Sequence, residues 1–335
     1  LNLHHKNQID VLNIKGDAPF PHYDRPLTIE VWYPADTKEK RGEYPNIFLR
    51  DGINQATLYG SAVRDAAPLK DGMAYPLIVL SHGYPGNRML LSHFGENLAS
   101  KGYVVASIDH TDSMYQDASP FSSTLYNRSR DQKFILNTIN EFNTTSGHFL
   151  ENIIDTNNAG LIGYSMGGYG AVITAGAGVT AEIASNPDVS PNGLLEAVMS
   201  GSEAHETLIQ GTHFKAIIAI APWGMVRKFW DDEGLKKLRI PTMFMAGSQD
   251  TTSGYEDGIK AIYEKSINAQ RYLLTFENAE HNAAAPIPAP KESAKFNYQD
   301  SDRPLFGHYA DPVWDTLRMN NIAQHYATAF FWEPS

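Results

Sequence analysis

The serine in Gly163-Tyr164-Ser165-Met166-Gly167-Gly168 is the residue of this sequence best placed to act as a nucleophile. The segment matches the pattern G-x-S-x-G and lies between an apolar run predicted as a strand and a Gly/Ala-rich run predicted as a helix. In that strand–turn–helix context a sharp turn lifts a serine hydroxyl above a sheet. The motif therefore predicts nucleophilic catalysis by Ser165. The alternative is a serine retained in a closely packed glycine turn.

A serine hydroxyl is a weak nucleophile and needs a base to activate it. In folds with this kind of turn, the acid and then the histidine follow the serine along the chain. His281 lies in the loop just past the predicted strand 271–276, at a strand end where a general base would lie. Asp250 ends the segment 241–250, which reads as a strand followed by a tight turn. We therefore predict His281 as the base and Asp250 as the acid that orients its imidazole.

Other titratable residues after Ser165 are weaker candidates. Glu256 and Asp257 fall in the helix predicted over 255–266, where they would complement the helix dipole, and Glu280 is expected to face solvent. The remaining histidines lie in an insertion, in an irregular segment or on the last helix; they are His205, His213, His308 and His325.

An oxyanion that forms during acyl transfer needs two preorganised N–H donors. The residue after the nucleophile supplies one, so the backbone N–H of Met166 is predicted as a donor. The loop Ser81-His82-Gly83-Tyr84-Pro85-Gly86 follows an earlier strand, and its glycine lets the Tyr84 N–H turn inward. His82 precedes Ser165 in the chain, so we interpret it as a residue that braces this loop rather than as a base.

The sequence predicts no cofactor and no metal ion. Asp109-His110 at a strand end lacks the spacing of a ligand set, and no H-E-x-x-H motif is present. The glycine runs at 163–170 and 176–178 match neither a phosphate-binding loop nor a dinucleotide-binding fingerprint. We therefore expect His110 to serve in loop packing.

The elements that must position these residues alternate between strand and helix. Strands are predicted at 27–33, 76–81, 103–108, 159–164, 215–221, 241–246 and 271–276, and helices at 87–101, 131–142, 166–177, 255–266 and 313–331. Such alternation predicts a mostly parallel central sheet flanked by helices, with ligands beyond the carboxyl ends of the strands. The stretch 44–75 is expected to be a long connection with one helical turn.

One segment interrupts the alternation. Residues 179–213 separate a helix from the next strand by far more than an ordinary loop, and a helix is predicted within them at 194–199. We interpret the segment as an insertion after the nucleophile helix, either a small lid or a surface elaboration. The Pro/Ala-rich segment 283–311 is a second candidate for lining the site. The whole chain, 1–335, is predicted as a single domain.

Composition excludes several classes of function. The 335 residues carry 27 Lys+Arg against 38 Asp+Glu, a net charge of −11, which disfavours nucleic acid as a partner. No run of 18 apolar residues exists, so no transmembrane segment is predicted. Cysteine is absent, which excludes disulfides and thiolate chemistry. The sequence begins at Leu1 rather than Met, so a processed or truncated chain is expected. A periplasmic or secreted location is predicted, with a cytoplasmic location as the alternative. Oligomeric state stays open.

The motifs together resemble the α/β-hydrolase superfamily, and within it the bacterial branch related to platelet-activating-factor acetylhydrolase and predicted dienelactone hydrolases. The resemblance extends over nearly the whole chain and rests on Glu30-Val31-Trp32-Tyr33-Pro34, Ser81-His82-Gly83, Gly163 to Gly168, Gly247-Ser248-Gln249-Asp250 and Glu280-His281. It implies an α/β-hydrolase fold. Dienelactone hydrolases use a cysteine nucleophile, so this cysteine-free chain is implied to be a serine esterase.

A second resemblance concerns the substrate. Ala221-Pro222-Trp223 is similar to a segment of cutinase-like polyester hydrolases, in which residues matching Tyr84 and Trp223 flank the substrate. A buried aromatic residue that caps the sheet is the alternative for Trp223. The sequence thus predicts a carboxylic ester hydrolase acting on short-chain or aromatic esters. The alternatives are a polyester or phthalate-type ester hydrolase, an amidase or thioesterase with the same residues, and a non-catalytic binding module.

Overall fold

The structure is a computed structural model that describes residues 1–16, 18–39, 42–211, 214–299 and 301–332. Within these residues the strands are β1 Asn2–Ile9, β2 His22–Trp32, β3 Glu43–Phe48, β4 Gln55–Tyr59, β5 Tyr75–Ser81, β6 Val104–Asp109, β7 Ile154–Tyr164, β8 Phe214–Ile220, β9 Thr242–Gly247 and β10 Arg271–Phe276. The α-helices are α1 Ser92–Ala99, α2 Phe121–Thr144, α3 Met166–Thr174, α4 Ala181–Ser185, α5 Glu203–Gln210, α6 Asp232–Leu235, α7 Ala261–Lys265 and α8 Thr316–Trp332.

The central sheet has the strand order β1-β2-β6-β5-β7-β8-β9-β10 in the described part of the chain. The strands from β6 to β10 in this order run parallel, whereas β1 and β2 are antiparallel additions at one edge. The predicted mostly parallel sheet is therefore confirmed. Strands β3 and β4 form a separate antiparallel pair.

Both faces of the sheet are covered, which explains why its central strands are continuous apolar runs. Along β5, Leu77 and Val79 belong to a core cluster that includes Ile135 and Ile139 of α2. Ile78 and Leu80 belong to the opposite cluster, which contains apolar side chains of α1 and α8. A β-strand presents successive side chains to opposite faces, so this alternation fixes which helices cover each face.

The carboxyl ends of the parallel strands meet at one edge of the sheet. There β5 leads into the 81–86 loop, β7 into Ser165, β9 into the turn before Asp250, and β10 into the loop that carries His281. The fold thus brings four separate stretches of sequence to one place.

Several predicted elements need correction. Helix α2 begins at Phe121 rather than at residue 131, and the stretch predicted as a connection over 44–75 contains β3 and β4. Strand β1 has no counterpart among the predicted elements. Residues 191–198 form a 3₁₀ turn broken at Asn192 and Gly193 rather than an α-helix. A π-helix, Tyr255–Lys260, precedes α7.

The insertion after α3 contains α4, the 3₁₀ turn and α5. His205 lies within hydrogen-bond distance of the Ile173 carbonyl, 3.2 Å away, and Lys133 of α2 donates to the carbonyls of Thr207 and Leu208. Ile173 is eight residues after Ser165, or about 12 Å along the helix axis. These contacts favour a surface elaboration over a lid. The end of the predicted insertion, including His213, lies outside the described residues.

Candidate active site

Ser165 occupies the sharp turn between β7 and α3. Its backbone has φ 53° and ψ −110°, a conformation unfavourable for a residue with a β-carbon. A β-carbon on Gly163 would lie 2.1 Å from the Gly167 carbonyl oxygen, and one on Gly167 would lie 1.9 Å from the Ser81 carbonyl oxygen. The glycines around Ser165 are therefore required by close backbone approach, and they leave the serine raised at the start of a helix.

His281 connects Ser165 to Asp250 through two hydrogen bonds. Its Nε2 lies 3.0 Å from the Ser165 Oγ, and its Nδ1 lies 2.8 Å from the Asp250 Oδ2. The other carboxylate oxygen accepts the backbone N–H groups of Thr252 and Ser253, both at 2.8 Å. Because the carboxylate accepts at Nδ1, this hydrogen-bond pattern assigns the hydrogen to Nδ1 and leaves the Nε2 lone pair facing the hydroxyl. The Asp250 side chain is fully buried, whereas that of His281 is 18% exposed.

The loop that carries His281 is braced by neighbouring side chains. The Tyr164 ring lies against the imidazole with a centroid separation of 5.3 Å, and its hydroxyl donates to Asn282 Oδ1. The Asn282 amide donates to the carbonyls of Gly307 and Ala310. The predicted lining segment 283–311 is thus tied directly to the base-bearing loop.

The two predicted oxyanion donors lie on either side of Ser165. A β-carbon on Gly83 would approach the Ser165 Cβ to 3.3 Å, so the loop containing Tyr84 passes directly beside the serine. Met166 is the first residue of α3, whose N–H has no partner within the helix. Among the residues that the structure describes, neither the Tyr84 nor the Met166 N–H donates to a carbonyl. Both remain available to a ligand.

The other histidines are engaged elsewhere. His82, in the 81–86 loop, and His110 are both buried, and desolvation by burial lowers the pKa of both, to about 3 for His110. His308 contacts the Tyr115 hydroxyl at 2.7 Å, and His325 lies on α8. Of the described histidines, only His281 lies within hydrogen-bond distance of Ser165.

The other carboxylates considered as partners of His281 do not contact its Nδ1. Glu256 pairs with Lys260 on the π-helix, and Asp257 and Glu280 are exposed. Asp109 is bound to Arg88, while the two ring nitrogens of His110 face Asp131 and Ser81. In the described ranges no group of three His, Asp or Glu side chains could hold a metal ion.

Tyr84 and Trp223, the two predicted substrate-binding residues, are joined by a third aromatic side chain. The Phe121 ring makes edge contacts with both, at centroid distances of 5.1 Å to Tyr84 and 5.0 Å to Trp223. All three are partly exposed, so Trp223 is not fully buried. The backbone N–H of Trp223 donates to the Ser165 carbonyl at 3.2 Å, which places this aromatic row beside the serine.

A buried polar network behind the 81–86 loop has no counterpart among the sequence predictions. Arg128 of α2 donates to the His82 carbonyl at 2.7 Å, to the Gly83 carbonyl at 3.5 Å and to the Ser113 hydroxyl. Gln132, one turn further, donates to the Gly167 carbonyl at 3.0 Å. The network thus contacts backbone carbonyls of both the 81–86 loop and the serine turn. Its sequence signal is a set of polar residues at helical spacing, which hydrophobic periodicity does not detect.

The charges of this network are largely paired. Arg25 binds Asp131 and Asp112 at 3.0 Å each, and Asp131 also faces His110. Burial tends to raise the pKa of Asp131, but Arg25 and His110 outweigh it and lower that pKa. The carboxylate is therefore ionised at neutral pH.

Two family models match separate parts of the chain. Residues 28–146 match the model for platelet-activating factor acetylhydrolase, isoform II, and residues 175–296 match the PET hydrolase-like model. Tyr84 falls in the first range, and Trp223, Asp250 and His281 fall in the second. Within the part of the chain that the structure describes, no helix is long and apolar enough to cross a membrane.

Individual relatives agree with these models. Platelet-activating factor acetylhydrolase of Cavia porcellus is 47% identical over 58 residues, 16% of this chain and 13% of that protein. Cutinase est1 of Thermobifida alba is 24% identical over 234 residues, 70% of this chain and 60% of the cutinase. The chain thus spans less than two thirds of the length of these relatives.

A solved structure supports the fold over the full length. The ferulic acid esterase of Streptomyces cinnamoneus superimposes with a TM-score of 0.62 and 19% identity, covering 100% of this chain and 90% of the esterase. The strand order, the serine turn and these similarities lead to one assignment. The chain has the α/β-hydrolase fold, and separate parts of it are similar to carboxylic ester hydrolases.

Proposed function

We propose that this protein hydrolyses carboxylic esters through a covalent acyl-enzyme on Ser165. The observation that carries the proposal is the continuous hydrogen-bonded chain Ser165–His281–Asp250, with separations of 3.0 and 2.8 Å. That chain activates a hydroxyl that is otherwise a weak nucleophile. A non-catalytic binding module would have no need of such an arrangement.

The reaction proceeds in two acyl transfers. The Ser165 Oγ attacks the carbonyl carbon as His281 Nε2 takes its proton, and the tetrahedral intermediate forms. Collapse breaks the bond to the alcohol oxygen, which leaves with the proton from His281. A water molecule then attacks the acyl carbon while His281 takes its proton, the bond between the acyl carbon and the Ser165 Oγ breaks as His281 returns that proton to the Oγ, and the carboxylic acid is released. Asp250 holds the imidazole and stabilises its charged form.

The Tyr84 and Met166 N–H groups stabilise the oxyanion in both steps. The proposal is supported by the position of both donors beside Ser165 and by their lack of a carbonyl partner among the described residues. Loss of one such donor costs about 3 kcal/mol in the transition state. The residues themselves supply the base, acid and oxyanion donors, and no step requires a metal ion or an organic cofactor.

We propose short-chain or aromatic esters as substrates. The support is the aromatic row of Tyr84, Phe121 and Trp223 beside the nucleophile. It can accept an aromatic ring by edge or stacked contacts. The PET hydrolase-like match over 175–296 and the similarity to a cutinase favour aromatic polyesters as the second candidate. The binding partner that we propose is a small-molecule ester. We also propose a periplasmic or secreted location.

The test is hydrolysis of p-nitrophenyl esters from acetate to palmitate by the wild type and by Ser165→Ala. We expect the highest rate at short chains and a loss of at least about 10⁴-fold in Ser165→Ala, because the nucleophile is removed. The matched control is Ser100→Ala, which makes the same change at an exposed position and should retain activity. Normal turnover in Ser165→Ala would refute the proposal.

A further inference from the structure

The peptide unit between Gly83 and Tyr84 is held from its carbonyl side by two buried side chains, Arg128 and His82. We propose that these are positioning residues: they orient the Tyr84 N–H toward the oxyanion, and Arg128 adds a buried positive charge behind that donor. The inference rests on the proposed ester hydrolysis and assigns it two residues outside the Ser–His–Asp chain.

The protonation of His82 follows from its surroundings. The backbone N–H of His110 donates to His82 Nε2 at 3.2 Å, so Nε2 must carry a lone pair. The hydrogen of the neutral ring is therefore on Nδ1, which lies 2.7 Å from the Gly83 carbonyl oxygen and donates to it. Burial lowers the pKa of His82, which keeps the ring neutral at pH 7. The tautomer with its hydrogen on Nδ1 is thus selected, and it donates a hydrogen bond to the Gly83 carbonyl.

Because the peptide unit is planar and trans, fixing its carbonyl also fixes the direction of its N–H. The C=O and N–H of one planar unit point in opposite directions. Fixing the Gly83 carbonyl toward His82 and Arg128 therefore directs the Tyr84 N–H away from them. Since the loop passes beside Ser165 at this point, that direction leads toward the reacting carbonyl. Hydrogen bonds accepted by a carbonyl also polarise the N–H of its unit.

The charge on Arg128 forms no ion pair with a carboxylate in the part of the chain that the structure describes. Asp131 and Asp112 both bind Arg25, whereas Arg128 donates to two carbonyls and a hydroxyl. Burial lowers the pKa of Arg128 to about 9, so it is still charged at pH 7. A buried cation without an anion in direct contact is costly, and an oxyanion on the far side of the Gly83–Tyr84 peptide would supply the missing charge.

The second oxyanion peptide is held in a similar way but without a cation. The Ser165 carbonyl accepts the N–H of Tyr169 at 2.9 Å and that of Trp223 at 3.2 Å, on the side opposite the Met166 N–H. Each of the two N–H donors thus belongs to a peptide unit whose carbonyl accepts hydrogen bonds. Of these two carbonyls, a charged side chain of the described residues, Arg128, contacts only that of the unit that carries the Tyr84 N–H. Changes at Arg128 should weaken one donor and leave the other in place.

Two substitutions at His82 separate its two hydrogen bonds. His82→Asn places an amide donor where Nδ1 was and keeps the bond to the Gly83 carbonyl. His82→Gln reaches the position of Nε2 and keeps only the bond to the His110 N–H. We expect His82→Asn to keep kcat within about threefold, and His82→Gln to lose at least about tenfold, part of the loss seen when an oxyanion donor is removed. Equal effects of the two would overturn the proposal.

Arg128 is tested with Arg128→Met, Arg128→Lys and the control Arg130→Met, which lies on the same helix over the Tyr126 ring. The measurements are kcat and KM for a p-nitrophenyl ester, and the affinity of phenylboronic acid, whose tetrahedral adduct on Ser165 places an oxygen among the donors. For Arg128→Met we expect kcat and boronate affinity to fall together by about tenfold or more, with KM within about threefold. Arg128→Lys should recover part of this, and Arg130→Met should match the wild type.

A purely structural role would give a different result. Arg128→Met would then lower the thermal midpoint without a matched loss of kcat and boronate affinity at temperatures where it is folded, and that outcome overturns the proposal. If Arg128→Met does not fold, the His82 pair decides. A wild type without ester hydrolysis would instead refute the proposed function, before any variant is compared.

Discussion

At the scale of single residues, the side chains predicted to react are those that the structure brings together. Ser165, His281 and Asp250 stand at strand ends, where turn residues and chain order carry a strong sequence signal. Phe121 and Arg128 carry no such signal. Phe121 reads as an ordinary apolar residue, and the partners of Arg128 include backbone carbonyls, which have no counterpart in a sequence motif.

Substitution of Asp250, the proposed acid, should lower the rate far more than it affects binding. In Asp250→Asn an amide replaces the carboxylate, so the imidazole tautomer with Nε2 free is no longer favoured. We expect kcat to fall by about 10³–10⁴-fold, with KM changed little. Steady-state kinetics on p-nitrophenyl acetate measures this. Asp257→Asn, an exposed carboxylate nearby in sequence, is the control, and a loss below about tenfold in Asp250→Asn would contradict the assignment.

The aromatic row should control selectivity for ring-bearing esters. Phe121→Ala removes the ring that contacts both Tyr84 and Trp223. Aromatic contacts of this kind are worth about 0.5–1.5 kcal/mol, so we expect KM for a benzoate ester to rise about three- to tenfold. KM for an acetate ester of the same alcohol should change less.

The control for this comparison is Phe134→Ala, on the same helix but stacked on His5. It should leave the ratio of the two KM values unchanged. If Phe121→Ala alters both esters equally, the row does not bind the acyl group.

At the scale of elements, hydrophobic periodicity locates the parallel strands but misplaces the start of α2. The first turns of this helix bury polar side chains, including Ser123, Thr124, Asn127 and Arg128. A pattern that searches for apolar positions at helical spacing cannot detect such a face. Strands β3 and β4 escape prediction for a related reason, because several of their residues are exposed and the pair stands outside the main sheet.

The serine turn should tolerate no side chain at Gly163. In Gly163→Ala the β-carbon would meet the Gly167 carbonyl oxygen at 2.1 Å, and both atoms belong to the packed backbone. We expect the free energy of unfolding to fall by about 3 kcal/mol, the upper part of the range for overpacking. Chemical denaturation measures it. Gly307→Ala, where nothing lies within 4 Å of the added atom, should change stability little; equal stability of the two variants would contradict the argument.

At the scale of the whole molecule, stability should depend on pH through buried histidines. Burial lowers the pKa of His93 and of His110 to about 3, whereas each takes up a proton near about pH 6.5 in the unfolded chain. Below that pH the unfolded state therefore binds more protons, and stability falls as the pH falls. The expected loss between pH 7 and pH 5 is about 2 kcal/mol for each of the two residues.

The measurement is the free energy of unfolding in urea at pH 7 and pH 5. His93→Gln should reduce the difference by the share of one histidine, and His4→Gln, at an exposed position of β1, should leave it unchanged. Identical stability of the wild type at the two pH values would show that these rings are not held neutral.

The tripeptide Ala221-Pro222-Trp223 has a consequence for how such an enzyme could be altered. The Ala221 carbonyl accepts a hydrogen bond from the Ser253 hydroxyl, and the backbone N–H of Ser253 donates to Asp250. The backbone N–H of Trp223 donates to the Ser165 carbonyl. An inserted or deleted residue here would disturb the surroundings of Asp250 and Ser165 at once. Within this segment, a change of substrate preference is therefore expected from exchange of the indole side chain and not from a change of length.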